Sequence, residues 1–481
     1  MAPVTSGTTG KELSTRNWLF AFSLVTSLFF TWGFAYGLLD VLNSHFQTVF
    51  GITKVQSTLL QFAYFGAYFF WAPVAGVFMR RIGYKKGIHV GLTLYSLGAI
   101  FFWPCAKFEA YGGFVACTFV IGCGLSTLEV AANSYITVLG TPQYAAARLN
   151  FSQGFQGLAS FAGPMIASRE FFKGENANSL DSVQWVYLGV AALGLCLNIL
   201  FYFCPLPEIT EEALEKEVAE AGIDPNAVAS SFWRQYRCVF GFVAQMAYVG
   251  AQVAVASMVV NFLTEQGLGL SQSTASLMFS FCQLTFTVGR FVGVIILKWV
   301  DPALMLSVYG VACMVFSLAV ALSSGWAGVG CLYVLFFFES ICYPCIFTLA
   351  TKNLGVHTKR GSGLIVMGVG GGAWYPPAQA ALAETASTRR SYLVPFTGYT
   401  AMSIYAIGLV VDQSIKQGFH WYSIDETAQT RIAVASAFPP SALMVDGALP
   451  PNLEAQWQGS PVDKKSLNGS EKAIEEFNER A

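Results

Sequence analysis

The sequence predicts an all-α integral membrane protein with twelve transmembrane helices in two six-helix halves. Three observations predict it. The chain is 54% hydrophobic and only 11% charged, whereas a soluble domain carries about 25% charged residues. Twelve apolar runs approach the length of about 20 residues that a helix needs to cross a hydrocarbon core about 30 Å thick. One strongly charged interval divides those runs six and six. The 41 phenylalanines and 46 glycines suit the same class, because small residues let membrane helices approach closely. A net charge of −1 provides no basic face for a nucleic-acid partner.

Residues 1–17 are polar and read as a cytosolic leader, with no short apolar core of the kind a removable signal peptide needs. The first half, 18–204, holds spans near 18–44, 57–79, 87–106, 111–139, 149–168 and 183–204. A cytosolic linker follows at 205–237. It opens with Pro205 and Pro207 and runs on as ITEEALEKEVAEAGID, the composition of an amphipathic surface helix or a flexible connector. The second half, 238–412, holds spans near 238–264, 272–299, 303–323, 327–351, 361–386 and 392–412. Residues 413–481 turn polar and rich in Pro, Ser and Asn, and read as a disordered cytosolic tail.

Short loops carrying Arg80, Arg81, Lys85, Lys86, Arg148, Lys298, Lys352, Lys359 and Arg360 set the orientation, with both termini in the cytosol. The opposite side holds Lys54, Lys107, Arg169, Lys173, Arg389 and Arg390, in a less favourable pattern. A plasma-membrane protein acting as a monomer is expected. The eleven cysteines lie almost entirely inside apolar runs, which does not suit a disulfide framework. Cys342 and Cys345 have CxxC spacing but enclose Tyr343-Pro344, and packing is the simpler role. No GxxxxGK[ST] loop occurs, so ATP-driven transport has no support, and no cofactor or metal is expected.

The halves carry a weak echo. Gln56-Ser57-Thr58 opens span 2 and Gln272-Ser273-Thr274 opens span 8, with Gly76 and Gly293 at nearly the same distance further on. Parallel six-helix repeats place a substrate site at the interface of the halves, near the bilayer midplane.

Ionisable and polar residues inside spans are candidates for that site. Glu129 lies near the middle of span 4 and Asp40 toward the far end of span 1. A carboxylate there costs roughly 2.5–3.5 kcal/mol even on lenient insertion scales, so each marks a site that handles protons or solute. Trp32, Tyr36 and Asp40 recur every four residues, as do Glu129 and Asn133. Gln153 and Gln156 are three apart, and Gln245, Tyr248 and Gln252 stand at i, i+3 and i+7. Each set is a stripe on one helix face. Amides on such a stripe bond either a neighbouring helix or a ligand. Carboxylates and amides among aromatic rings, including Trp374 and Tyr375, also form the chemistry of a sugar site, although a drug exporter has an aromatic cavity too. Arg290, in the cytosolic half of span 8, either serves the site or snorkels. Glu339, midway along span 10, either faces the cavity or pairs with another helix, Arg290 being its nearest basic candidate. Gly368 to Gly372, followed by Pro376-Pro377, should break span 11.

Several segments together resemble the L-fucose permease-like sugar:proton symporters of the major facilitator superfamily. They are SLFFTWGFAYGLLDVLNSHFQ (Ser27 to Gln47), LEVAANSYITVLG (Leu128 to Gly140), RLNFSQGFQ (Arg148 to Gln156), AQMAYVGAQ (Ala244 to Gln252), GRFVG (Gly289 to Gly293) and YPCIFTLATKNLG (Tyr343 to Gly355). Gly76 to Lys86, with Arg81 and Gly83, looks like the superfamily signature between helices 2 and 3. Arg80 stands where that signature usually has aspartate.

The resemblance implies the major facilitator fold. It matches Asp40 and Glu129 to the family carboxylates of proton coupling and sugar binding, and Gln153 and Gln156 to positions near the sugar. It departs at Tyr36-Gly37-Leu38-Leu39, where the family is rich in Asn, and at Glu339, where an apolar residue is expected. The expectation is a non-enzymatic, proton-coupled importer of a monosaccharide. L-fucose, glucose, galactose and a non-sugar solute all remain open. A proton-driven exporter of a secondary metabolite or drug and a non-transporting nutrient sensor are the alternatives.

Overall fold

The computed structural model describes residues 13–52, 56, 59–170, 180–204, 206–207, 232–352, 354 and 357–422. All belong to one compact unit, Met1–Asp425. Those residues are helical, with no strand among them beyond a single bridge between Val300 and Tyr422.

The first half begins with α1 (Thr15–Phe50), whose N-cap Ser14 accepts from the Asn17 N–H and whose C-cap Gly51 adopts φ 61°. The next helix, α2 (Leu59–Lys107), has 49 residues and turns at Gly83, where φ is 82°. At 1.5 Å per residue it would measure roughly 74 Å, about twice what one crossing needs, so the bend separates two crossings. Then come α3 (Tyr111–Val138), α4 (Ala145–Glu170) and α5 (Asp181–Phe203). Arg148 donates to the carbonyls of Ile136, Thr137 and Thr141 at 3.2, 2.9 and 2.8 Å. It thereby satisfies acceptors that the end of α3 leaves open.

The second half comprises α6 (Tyr236–Thr264), α7 (Gln272–Ile296), α8 (Pro302–Leu322), α9 (Gly325–Glu339) and α10 (Cys342–Thr351). It continues through α11 (Thr358–Met367), a 3-10 turn (Gly368–Ala373), α12 (Tyr375–Thr385), α13 (Thr388–Ser391) and α14 (Leu393–Gln417). Span 10 breaks between α9 and α10 because Pro344 has no N–H for the turn before it. Span 11 breaks at the glycine run, as its sequence predicts.

Among the described residues nine helical stretches are long and apolar enough to cross a membrane. α4 is too polar to be counted, α11 and α12 are each too short, and α2 counts once although it bends. Each run read from the sequence overlaps described helix, although residues 57 and 58 of the second lie outside the described residues. Large apolar side chains face outward, including Phe70 at 64%, Tyr202 at 71% and Ile415 at 80% exposure, as a lipid-facing shell requires.

Two expected boundaries shift. α14 runs past 412, the Trp421 carbonyl accepts from the Asp301 N–H at 3.0 Å, and Tyr422 bridges Val300. Residues 413–422 are thus tied to the body, and the rest of the expected tail lies outside the described residues. Within the expected linker, the Tyr135 hydroxyl donates to the Pro207 carbonyl at 2.9 Å, and Arg360 lies 4.4 Å over the Phe232 ring. Residues 208–231 lie outside the described residues.

The halves meet along two seams, α2 against α11 with the 3-10 turn, and α4 against α7. Small residues allow both. A Cβ at Gly76 would lie 2.9 Å from the Lys359 carbonyl oxygen and 3.1 Å from Gly363 Cα, and one at Gly293 would lie 2.9 Å from Asn150 Nδ2. The two glycines of the sequence echo therefore occupy corresponding places, one on each seam.

Candidate functional site

Between the seams lies a cavity of about 650 Å³, including its opening. The first half contributes Trp32 from α1, Tyr64, Phe65 and Tyr68 from α2, Glu129 from α3, and Gln153, Gln156 and Ser160 from α4. The second half contributes Gln252 from α6, Gln283, Phe286 and Arg290 from α7, Tyr343 from α10 and Val369 from the 3-10 turn.

Glu129 is the acid of the cavity. Its Oε1 accepts from the Tyr343 hydroxyl, and that hydroxyl in turn accepts from Asn133 Nδ2 at 3.1 Å. Tyr68 also reaches the carboxyl group. Arg290 is the base. Its Nη1 donates to Gln153 Oε1 at 2.8 Å, its guanidinium lies 4.7 Å over the Phe286 ring, and its carbonyl accepts from Asn150 Nδ2 at 2.7 Å. Its Nε is buried with no partner among the described residues. Glu129 and Arg290 lie within electrostatic range of each other. Each is held by a residue from the opposite half.

The rest of the wall divides into flat apolar faces and open amides. Trp32 is fixed by its indole N–H, which donates to the Leu125 carbonyl at 3.2 Å. Gln156, Gln252 and Gln283 line the cavity with side-chain amides that make no protein hydrogen bond among the described residues. Chemically, the cavity can accept from and donate to several hydroxyls, stack an apolar ring face, and hold a proton on Glu129.

The structure distributes the other expected site residues differently. Gln245 is fully buried, with both amide atoms unpartnered among the described residues, and packs where α6 meets Gly368. Tyr248 donates to the Glu339 carbonyl oxygen at 2.7 Å. Glu339 is fully buried and accepts from the Tyr399 hydroxyl. Of the alternatives open for Glu339, the structure shows neither a place in the cavity lining nor a pairing with Arg290, which is engaged by Gln153. Nor does Arg290 snorkel, being 3% exposed on the cavity wall. Trp374 is 54% exposed and stacks edge-on against Phe62 at 5.5 Å, away from the cavity lining.

Gly76 sits on a seam, Gly83 forms the bend of α2, and Arg80 and Arg81 immediately precede that bend. Tyr36 and Asp40 lie on α1, but their side chains lie outside the described residues. Tyr64, Tyr68, Gln283, Phe286 and Tyr343 line the cavity without having been singled out from the sequence as site residues. Gln283, Phe286 and Arg290 have the same i, i+3, i+7 spacing as the span 7 stripe. Among the described residues no cluster of three or more His, Cys, Asp or Glu is placed to hold a metal.

A multi-pass helical membrane protein whose halves enclose a polar, aromatic-lined cavity has the architecture of a secondary carrier. The chain belongs to the Major Facilitator Superfamily, whose family model matches residues 20–373. It is 34% identical over 400 residues to a glucose/galactose transporter of Brucella abortus biovar 1 (strain 9-941), a match covering 82% of this chain and 95% of that protein. It is 30% identical over 411 residues to the L-fucose-proton symporter of Escherichia coli (strain K12), covering 81% and 93%. Among solved structures it is similar to a crystal structure of the Major Facilitator Superfamily transporter FucP in the outward conformation. That match has a TM-score of 0.69 and 31% identity, over 82% of this chain and 99% of that one.

Proposed function

We propose that the protein imports a monosaccharide of the L-fucose, glucose or galactose type together with protons, by alternating access between its two halves. The observation that carries this reading is the bond from Tyr343 to Glu129, which joins a proton-binding group of one half to the other half inside the cavity. The amides and aromatic rings that line the cavity suit a polyhydroxylated ring. The named sugars of the relatives support the solute class. Asp40 joins Glu129 in proton coupling by the family resemblance. Twelve spans, cytosolic termini, a plasma-membrane location and a monomeric carrier complete the reading, supported by the basic short loops.

In the cycle, Glu129 takes a proton while the cavity faces the acidic side, and the sugar fills the amide and aromatic wall. The halves then rock, and both are released on the other side. The test is uptake into vesicles holding the full chain under an imposed pH gradient, with unlabelled L-fucose, glucose and galactose as competitors. Uphill accumulation that one of these sugars suppresses is expected. No accumulation, with outward movement of a hydrophobic compound instead, would favour the exporter. Absence of any solute movement, with a growth response that needs the tail, would favour the sensor.

A further inference from the structure

Outside the cavity, the second half holds one buried acid that the transport reading does not use. Glu339 ends α9, is 0% exposed, and accepts from the Tyr399 hydroxyl through Oε1. Its Oε2 is buried with no hydrogen-bond partner among the described residues. The titratable groups facing it are Tyr248 from α6, Cys282 from α7, Cys313 from α8, Tyr399 from α14 and Tyr392 just before that helix. None is a cation. Arg290 lies within electrostatic range of Tyr248, but it is bonded to Gln153 and faces Glu129. A carboxylate in such surroundings has one donor and no opposite charge to meet it, whereas Oε2 is an atom on which a proton can sit.

The position of Glu339 in the chain gives that proton a consequence. An unbroken helix would offer the Glu339 carbonyl oxygen to the N–H of Tyr343, but here the Tyr248 hydroxyl occupies that oxygen at 2.7 Å. Span 10 turns through Ser340 and Ile341, and α10 then presents Tyr343 to Glu129. Glu339 therefore stands at the root of the break that places the residue joining the two halves.

We propose that Glu339 is a second proton-binding residue, located behind the cavity, and that it positions Tyr343 against Glu129 through the break in span 10 without touching the solute. On binding, an O–H bond forms on Oε2 with a proton taken from water. On release the same bond breaks and the proton returns to water. This rests on the proton-coupled reading above.

Two readouts on the full-length protein in lipid vesicles test it. One is the carboxylic acid C=O stretch, followed by infrared difference spectroscopy during a pH titration. The other is the pH profile of galactose uptake. Glu339→Gln is expected to remove one titrating carboxyl band that Glu129→Gln leaves in place, and to shift the uptake profile while the melting temperature remains that of the wild type. Tyr399→Phe is expected to retain the band, displace it, and also shift the profile. If Glu339→Gln does not fold, Tyr399→Phe decides by the same two readouts. A full set of bands in Glu339→Gln, or an unshifted band and profile in Tyr399→Phe, overturns the proposal. If the wild type moves no galactose, L-fucose or glucose, the transport reading fails and the infrared titration alone decides whether Glu339 binds a proton.

Discussion

Glu129 and Tyr343 are 214 residues apart in the chain and on opposite halves, so their bond exists only while the halves hold this arrangement. Glu129→Gln keeps the size and hydrogen-bonding capacity of the side chain but cannot exchange a proton. Uphill uptake driven by a pH gradient should be lost, while exchange of labelled for unlabelled sugar continues; full concentrative uptake in this variant would remove Glu129 from coupling. Tyr343→Phe leaves the Glu129 oxygen and the Asn133 amide without their shared hydroxyl. An unsatisfied buried polar group costs about 1–3 kcal/mol, so a lower melting temperature in detergent is expected, and an unchanged one would count against the bond. Glu129, Gln153, Gln156 and Gln252 were legible in the sequence because a polar residue is conspicuous in an apolar run. Tyr64, Tyr68 and Phe286 were not, since aromatic residues abound throughout the chain and give no contrast. The choice between the alternatives for Glu339 was not legible, because spacing along one helix does not say which helices lie beside it.

At the scale of elements, the seams depend on glycine. A side chain at Gly76 would meet the Lys359 carbonyl at 2.9 Å, and overpacking of this kind typically costs 1–3 kcal/mol. Gly76→Val should therefore disfavour the closed contact between α2 and α11 by roughly 5- to 150-fold. Cys238 reports on it, being buried 4.0 Å from the Gly361 carbonyl near the same contact. With the other cysteines replaced, it should react faster with a small maleimide in Gly76→Val, and an equal rate would show that the contact does not hold the bundle closed. The breaks in spans 10 and 11 follow from Pro344 and from the glycine run, and only the second was anticipated. Trp374 was named for its ring alone, and residue type does not say which way a side chain faces after a 3-10 turn.

For the whole molecule, the described body closes on itself as far as Tyr422. Removing the residues after Tyr422 should leave sugar uptake nearly intact, whereas removal after Gln417 also deletes the pairing of Trp421 with Asp301 and should lower thermal stability. Equal stability of the two truncations would mean that the pairing contributes nothing. The two-half organisation was readable because a membrane span is specified by composition and length alone. The exact ends were not, because they depend on bonds between residues as distant as Asp301 and Trp421. The meeting of Glu129 with Arg290 in one cavity has an electrical corollary. Among the described lining residues, the two charges cancel with Glu129 ionised, and with Glu129 protonated they leave the single positive charge of Arg290. Under the proposed cycle, a membrane potential would then act on the loaded carrier and spare the empty one. One charge crossing the full field gains about 2.3 kcal/mol per 100 mV, so an inside-negative voltage would accelerate the inward stroke even with no difference in pH.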